Sequence, residues 1–242
     1  MTQVEVKEKN KKLEEDLKSH GCHYGRAKRF THSSMKQFLL KFEKRGNLEF
    51  FNLNKTIEGL NSASNYIVEL IKEQKLILFV GAKPAAEKAV EKIAKEFNMP
   101  YLNYKWVGGF LTNFQTIKTR IEYFKSLLQK EESGEIEEYP PADKKRLLRE
   151  LDKMKKVYSG VKELDRIPDA IFIIDLKYPP HNTARNEAIK MNLPIIAICG
   201  SDNDTRGVKI VIPANDKAPS SINFLIDYLI NKIKEKLQAQ NG

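Results

Sequence analysis

The chain has 242 residues, 41% apolar and 31% charged, enough for one large α/β domain with an appendage or two smaller domains around a buried core. It has no run of 18 apolar residues, which argues against a membrane-spanning helix, and no Ser/Gly/Pro tract, which argues against global disorder. Its formal charge of +10 suits a polyanionic partner.

The opening MTQVEVKEKNKKLEEDL carries five acidic residues and lacks an apolar core segment. It therefore reads as an N-terminal helix rather than a secretory signal or an Arg-rich transit peptide. Cys22 and Cys199 are the only cysteines, too few for a disulfide framework, so a reducing cytosolic compartment is expected.

Residues 20–46 hold seven Lys and Arg against one acid, more than half of the net charge. Arg26, Lys28, Arg29, Lys36, Lys41, Lys44 and Arg45 are interleaved with Tyr24, Phe30, Phe38 and Phe42. A solvated face would mix its lysines with acids, as the rest of the chain does. A concentrated excess is the footprint of phosphate binding, with Arg suited to bidentate contacts and Lys acting as a point charge. Little regular structure is predicted over residues 20–34. Within SHGCHYG, His20, Cys22 and His23 are weak candidates for zinc, with His32 as a fourth ligand. The paired C-x₂-C and H-x₃-H spacing is missing, so a polar cluster at a helix end is expected and no metal is predicted.

Strands are predicted at 48–53, 75–81, 99–104, 169–175, 193–200 and 208–214, with helices at 55–73, 84–98, 182–192 and 219–238. Doubly apolar strands alternating with helices imply a parallel sheet covered on both faces, the doubly wound α/β class. The loop VGAKPAAEK (80–88) joins a strand to a helix, where α/β proteins bind phosphates, yet it fits no dinucleotide or P-loop pattern. Lys83 could hold one phosphate of a larger ligand. Asp175 and His181 look like a catalytic pair in position, but no third orienting residue is evident, so a helix cap with a histidine is expected. Cys199 reads as a core residue.

Residues 112–168 break the alternation. Phe114, Ile117, Ile121, Phe124 and Leu128 form one seam of period 3.5, and Leu147, Leu151, Met154, Tyr158 and Val161 a second. KEESGEIEEYPPAD turns the chain between them. This predicts an antiparallel helical hairpin with coiled-coil packing, projecting from the body; the alternative is two ordinary surface helices. The tip EESGEIEE (131–138) has five glutamates and no base, so it should face protein or solvent rather than phosphate. Just before the hairpin, Lys105-Trp106-Val107-Gly108-Gly109 reads as its root. Gly108 and Gly109 would permit the redirection, Thr112 or Asn113 would cap the first helix, and Trp106 would pack the junction. The expected division is 1–46 (helix and basic segment), 47–111 with 169–242 (α/β domain) and 112–168 (insert).

WVGGFLTNFQTIKTRI resembles the W-L-G-G-x-L-T-N-[WF]-x-T-[IV] signature of the small ribosomal subunit protein two family, bacterial type. HYGRAKRFTHSSMKQFL, LEFFNLNKT, ILFVGAKPAA, PDAIFIID, NLPIIAICGSDND and VIPANDKAPSSINFLI resemble its other segments in the same order, over residues 15–235. The resemblance implies a flavodoxin-like parallel sheet with an inserted helical hairpin. It also implies a non-enzymatic structural protein that binds small-subunit ribosomal RNA near the head–body junction. Its implied partners are neighbouring small-subunit proteins and the large ribosomal protein one, in a cytoplasmic or organellar ribosome, without cofactor, membrane or stable homo-oligomer. RNA contacts are expected from the seven basic residues of the front and from Lys83, Lys105, Trp106 and Arg120. The chain departs from the family pattern at Arg26, Ala82 and Ala214, and at Thr31-His32-Ser33-Ser34, where the proline is lost but Met35 and Lys36 remain. The alternative function is a small-molecule or phosphate-ligand enzyme using Lys83, Lys105, Asp175, His181 and Arg206 at the strand-end crevice.

Overall fold

The structure, a computed structural model, describes residues 3–41 and 46–239, with side chains from Asn10 onward. In chain order, α1 (Gln3–Ser19) leads into β1 (Tyr24–Ala27), two short 3₁₀ turns (Lys28–Phe30 and Ser33–Phe38) and β2 (Leu48–Phe50). Then come α2 (Leu53–Lys72), β3 (Ile77–Val80), α3 (Glu87–Glu96) and β4 (Tyr101–Leu102). The helices α4 (Phe114–Glu132) and α5 (Pro141–Tyr158) follow. The chain closes with β5 (Ala170–Ile174), α6 (Pro179–Lys190), β6 (Ile195–Cys199), β7 (Ile210–Pro213) and α7 (Pro219–Gln238).

Strands β3 to β7 form one all-parallel sheet in the order β4-β3-β5-β6-β7. Numbered within the sheet this is 2-1-3-4-5, the flavodoxin-like order, with its switch point between β3 and β5. Period-two alternation divides the strand residues between two cores. Ile77, Phe79, Ala170, Phe172, Ile174, Ile196 and Ile198 face α2, α3 and α7. Leu78, Val80, Ile171, Ile173, Ile195, Ala197 and Cys199 face α6, α4 and α5. Burial on both faces is why these strands read as unbroken apolar runs.

Two expectations change. Residues 48–50 do form a strand, but β2 pairs antiparallel with β1 in a separate two-stranded sheet. With only one face against the body, it cannot join a sheet buried on both sides. β1 itself was not predicted, because YGRA carries none of the β-branched bulk that marks a strand.

Helices α4 and α5 pack on one another across a turn at Gly134 and the 3₁₀ segment Glu135–Glu138. Ile117, Ile121, Phe124, Leu151 and Tyr158 are buried as the seams anticipate, but Leu127 is buried too, and Leu148 and Val157 are partly covered. Val161 lies in a 3₁₀ turn beyond α5. The apolar face is thus wider than a two-position seam and continuous with the sheet's second core. A coiled coil is not confirmed.

Candidate nucleic-acid interface

The carboxyl ends of the parallel strands, where flavodoxin-like folds hold ligands, are occupied by the protein's own charges. β5 ends at Asp175, whose φ of +68° is tolerated by a short polar side chain. Its carboxylate accepts from Lys83 Nζ at 3.0 Å and Lys217 Nζ at 2.6 Å. Burial pushes the Asp175 carboxyl up, but Lys217 and then Lys83 outweigh it and hold the group below its ordinary value. Lys83 also donates to the Asp216 backbone carbonyl at 3.1 Å. Asp216 Oδ2 accepts from Gly200 N at 2.9 Å and Asn203 Nδ2 at 3.0 Å. Burial first, then the charge of Asp175, raises the Asp216 carboxyl well above the carboxylate range.

His181 is equally committed. Its Nε2 accepts from Ala82 N at 2.8 Å, so Nδ1–H donates to the Asp175 carbonyl at 3.0 Å. Burial lowers its pKa and keeps the ring neutral. With both nitrogens on backbone groups, it is a structural strut rather than a general base. The phosphate reading of Lys83 is corrected for the same reason: its amine points inward to Asp175.

The basic front is fastened onto this end of the sheet. Arg26 N donates to Ser201 Oγ at 2.7 Å and His32 N to the Ser201 carbonyl at 2.9 Å. Thr205 N donates to Ser34 Oγ at 3.1 Å, and Asn215 N to the Cys22 carbonyl at 2.9 Å. Gly25 allows the close approach, since a Cβ there would sit 2.9 Å from Glu49 Cβ and 3.1 Å from Ser201 Oγ. The buried carboxylate of Asp202 faces Lys177 Nζ at 3.4 Å and Arg26 Nε at 3.8 Å. The segment predicted to lack regular structure is therefore a docked platform.

The weak zinc candidates of the sequence are engaged in other contacts. His20 stacks on Phe224 at 4.3 Å and donates to the Asp16 carbonyl at 2.8 Å. Cys22 is buried, its thiol pushed up to about 11 by burial. The His23 ring lies 4.0 Å from that of Tyr24. Among the described residues no group of three or more His, Cys, Asp or Glu side chains is placed to hold a metal.

The root of α4 is organised by a residue that the sequence did not mark. The Glu187 carboxylate, on α6, accepts from Trp106 Nε1 at 2.9 Å, Gly109 N at 2.8 Å and Leu111 N at 2.9 Å. Thr112 N and Oγ1 lie at 3.3 and 3.4 Å from the same carboxylate. One buried carboxylate thus collects the Trp106 indole N–H and the Gly109, Leu111 and Thr112 amides, while Phe110 N donates to the Val107 carbonyl. The predicted local cap is replaced: Asn113 occupies the N-cap position without a capping bond, and its Oδ1 accepts from Thr116 instead. Gly109 takes φ +83°, which favours glycine, whereas Gly108 has open space around it and no such constraint. Trp106 is 4% exposed and packs against Phe110 at 5.2 Å. Its ring is therefore a junction filler and offers no open face for a base.

Residues 17–236 match the family described as Ribosomal protein S2. The chain belongs to that family. It is 38% identical over 222 residues to the small ribosomal subunit protein uS2 of Coprothermobacter proteolyticus, covering 92% of this chain and 81% of the relative. It is 32% identical to the protein of the same name from Marinobacter nauticus, over 93% of this chain and 88% of the relative. Against that from Hahella chejuensis it is 35% identical, over 94% and 88%. The S2 family is structural and non-enzymatic, in keeping with a strand-end crevice filled by internal ion pairs. Of the residues considered for an enzyme, Arg206 is also engaged, paired with Asp204 at 2.8 Å.

On this S2 scaffold the predicted RNA-binding residues separate into groups. Arg26, Lys28, Arg29, Lys36 and Lys41 are exposed on the docked front. Lys44, Arg45 and Phe42 lie outside the described residues. Lys105 and Arg120 are exposed near the root and on α4, while Lys83 and Trp106 are turned inward. The front also exposes Tyr24, Phe30 and Leu40, and the neighbouring β2 exposes Leu48.

Proposed function

We propose that this chain is a structural constituent of the small ribosomal subunit and binds ribosomal RNA through its front segment. The observation that carries the reading is a concentrated, exposed positive charge on a platform fixed by backbone hydrogen bonds to Ser201 and Asn215. A fixed platform loses less conformational entropy on binding than a mobile tail, and its cations gain by releasing phosphate counterions. In this reading residues 1–46 form the N-terminal helix and the basic RNA-binding segment, 47–111 with 169–242 the scaffold and 112–168 an insert. Lys105 and Arg120 provide a second set of contacts. The position near the head–body junction, the neighbouring small-subunit proteins and support of the large ribosomal protein one rest on the family resemblance. The test is co-sedimentation of the full chain with small ribosomal subunits at physiological salt. Retention that weakens with rising salt supports the proposal; its absence at every salt concentration contradicts it.

A further inference from the structure

Phe30 presents a feature that phosphate binding alone does not use. Its ring is 45% exposed and sits in the 3₁₀ turn Lys28–Phe30, held by Lys28 N donating to the Asn47 carbonyl at 2.8 Å and Thr31 N to the Lys28 carbonyl at 3.1 Å. The Arg29 guanidinium lies 4.7 Å from the ring centroid and Lys177 Nζ 5.8 Å. Lys177 also meets Asp202, whose carboxylate faces Arg26. A half-exposed aromatic is thus pinned in place with two cations over its ring, Arg29 from the front and Lys177 from the loop after β5, and with Arg26 on the far side of Asp202.

We infer that Phe30 is a stacking platform for an unpaired nucleobase, with Arg29, Lys177 and Arg26 holding the phosphates that flank it. The inference rests on the RNA-binding reading and names the class of RNA that the face selects. Phosphate oxygens draw the cations off the ring and leave its face wet; a base covers that face with a π surface of matching size. A duplex keeps its base faces stacked inside, so the occupant is a looped, bulged or single-stranded nucleotide. An acidic protein segment would neutralise the cations without supplying a flat π surface.

The test uses the full chain with Phe30→Trp, taking the parent protein, whose own Trp106 is buried, as the background. The probes are a single-stranded RNA, a duplex of equal length and a polyglutamate peptide. The expected result is emission from position 30 quenched by the single strand and little changed by the other two. As a second arm, Phe30→Leu should weaken single-strand binding roughly 5- to 150-fold, the range for one lost base stack, with the salt slope and melting temperature retained. Binding of both variants at parental strength, with unquenched emission, overturns the stacking site and leaves RNA binding standing. Failure of the parent to bind any RNA overturns both. Equal quenching by polyglutamate would assign the face to an acidic protein instead.

Discussion

The front segment and the α4–α5 pair are both rich in charge, yet they manage it in opposite ways. Residues 112–168 carry 13 basic and 11 acidic side chains and neutralise them internally. Glu131 pairs with Lys155 at 2.7 Å, Glu135 with Lys130 at 2.6 Å, and Glu137 with Lys144. Three of the five glutamates at the tip are thus matched by lysines of the same insert. The front has one acid among its 27 residues and borrows Asp202 from the turn after β6, a carboxylate already shared with Lys177. Charge balanced locally organises structure; charge that cannot be balanced locally remains available to a partner.

The largest effects should fall where the insert meets the body. Trp106→Ala is expected to cost about 3–5 kcal/mol of stability, as for a large buried aromatic. An unchanged thermal midpoint in the isolated protein would show that the ring is not a junction filler. Glu187→Gln keeps the shape but loses the charge and half of the acceptor capacity, and should cost about 1.5–3 kcal/mol, the range for charged hydrogen bonds. Chemical denaturation of the two variants orders them, and a neutral Glu187→Gln would break the clamp.

These two residues also mark the limit of what could be read from sequence. The strands were legible because burial on both faces leaves runs such as AIFII and IIAIC with no polar alternation. Trp106 and Gly109 stood out by composition. Glu187 did not, because its donors lie 75 to 81 residues earlier in the chain and a glutamate in a helix carries no local signal of burial. Lys83 misled for the same reason: a lysine at a helix start reads as exposed until Asp175, 92 residues later, is brought beside it. β1 was invisible because tertiary docking, rather than β propensity, makes YGRA a strand.

A smaller effect probes the polar network beneath the front. Asp216 is held above its ordinary value, so its contribution to stability is full below the ordinary carboxylate range and falls as pH rises toward neutrality. Asp175 is held below its ordinary value, so its contribution is full above that range and is lost as pH falls. Asp216→Asn removes only the first dependence. Its melting temperature relative to the parent should therefore rise between about pH 5 and about pH 8. A difference constant with pH would contradict the buried-carboxylate account.

The smallest change is expected in the insert. Lys155→Ala breaks a partly exposed ion pair and should cost no more than about 1 kcal/mol, with RNA binding and its salt slope unaltered. A marked loss of RNA binding would blur the contrast between the two regions.

The central claim, that the unbalanced charge of the front meets phosphate, is tested most directly by salt titration of small-subunit RNA binding. The comparison is between the parent and a Lys28→Ala/Arg29→Ala variant, two exposed cations. Two lost phosphate contacts should make the log–log slope shallower by roughly 1.4–1.8, with the melting temperature unchanged. An identical slope and affinity in the variant would contradict the account and move the RNA interface away from the front.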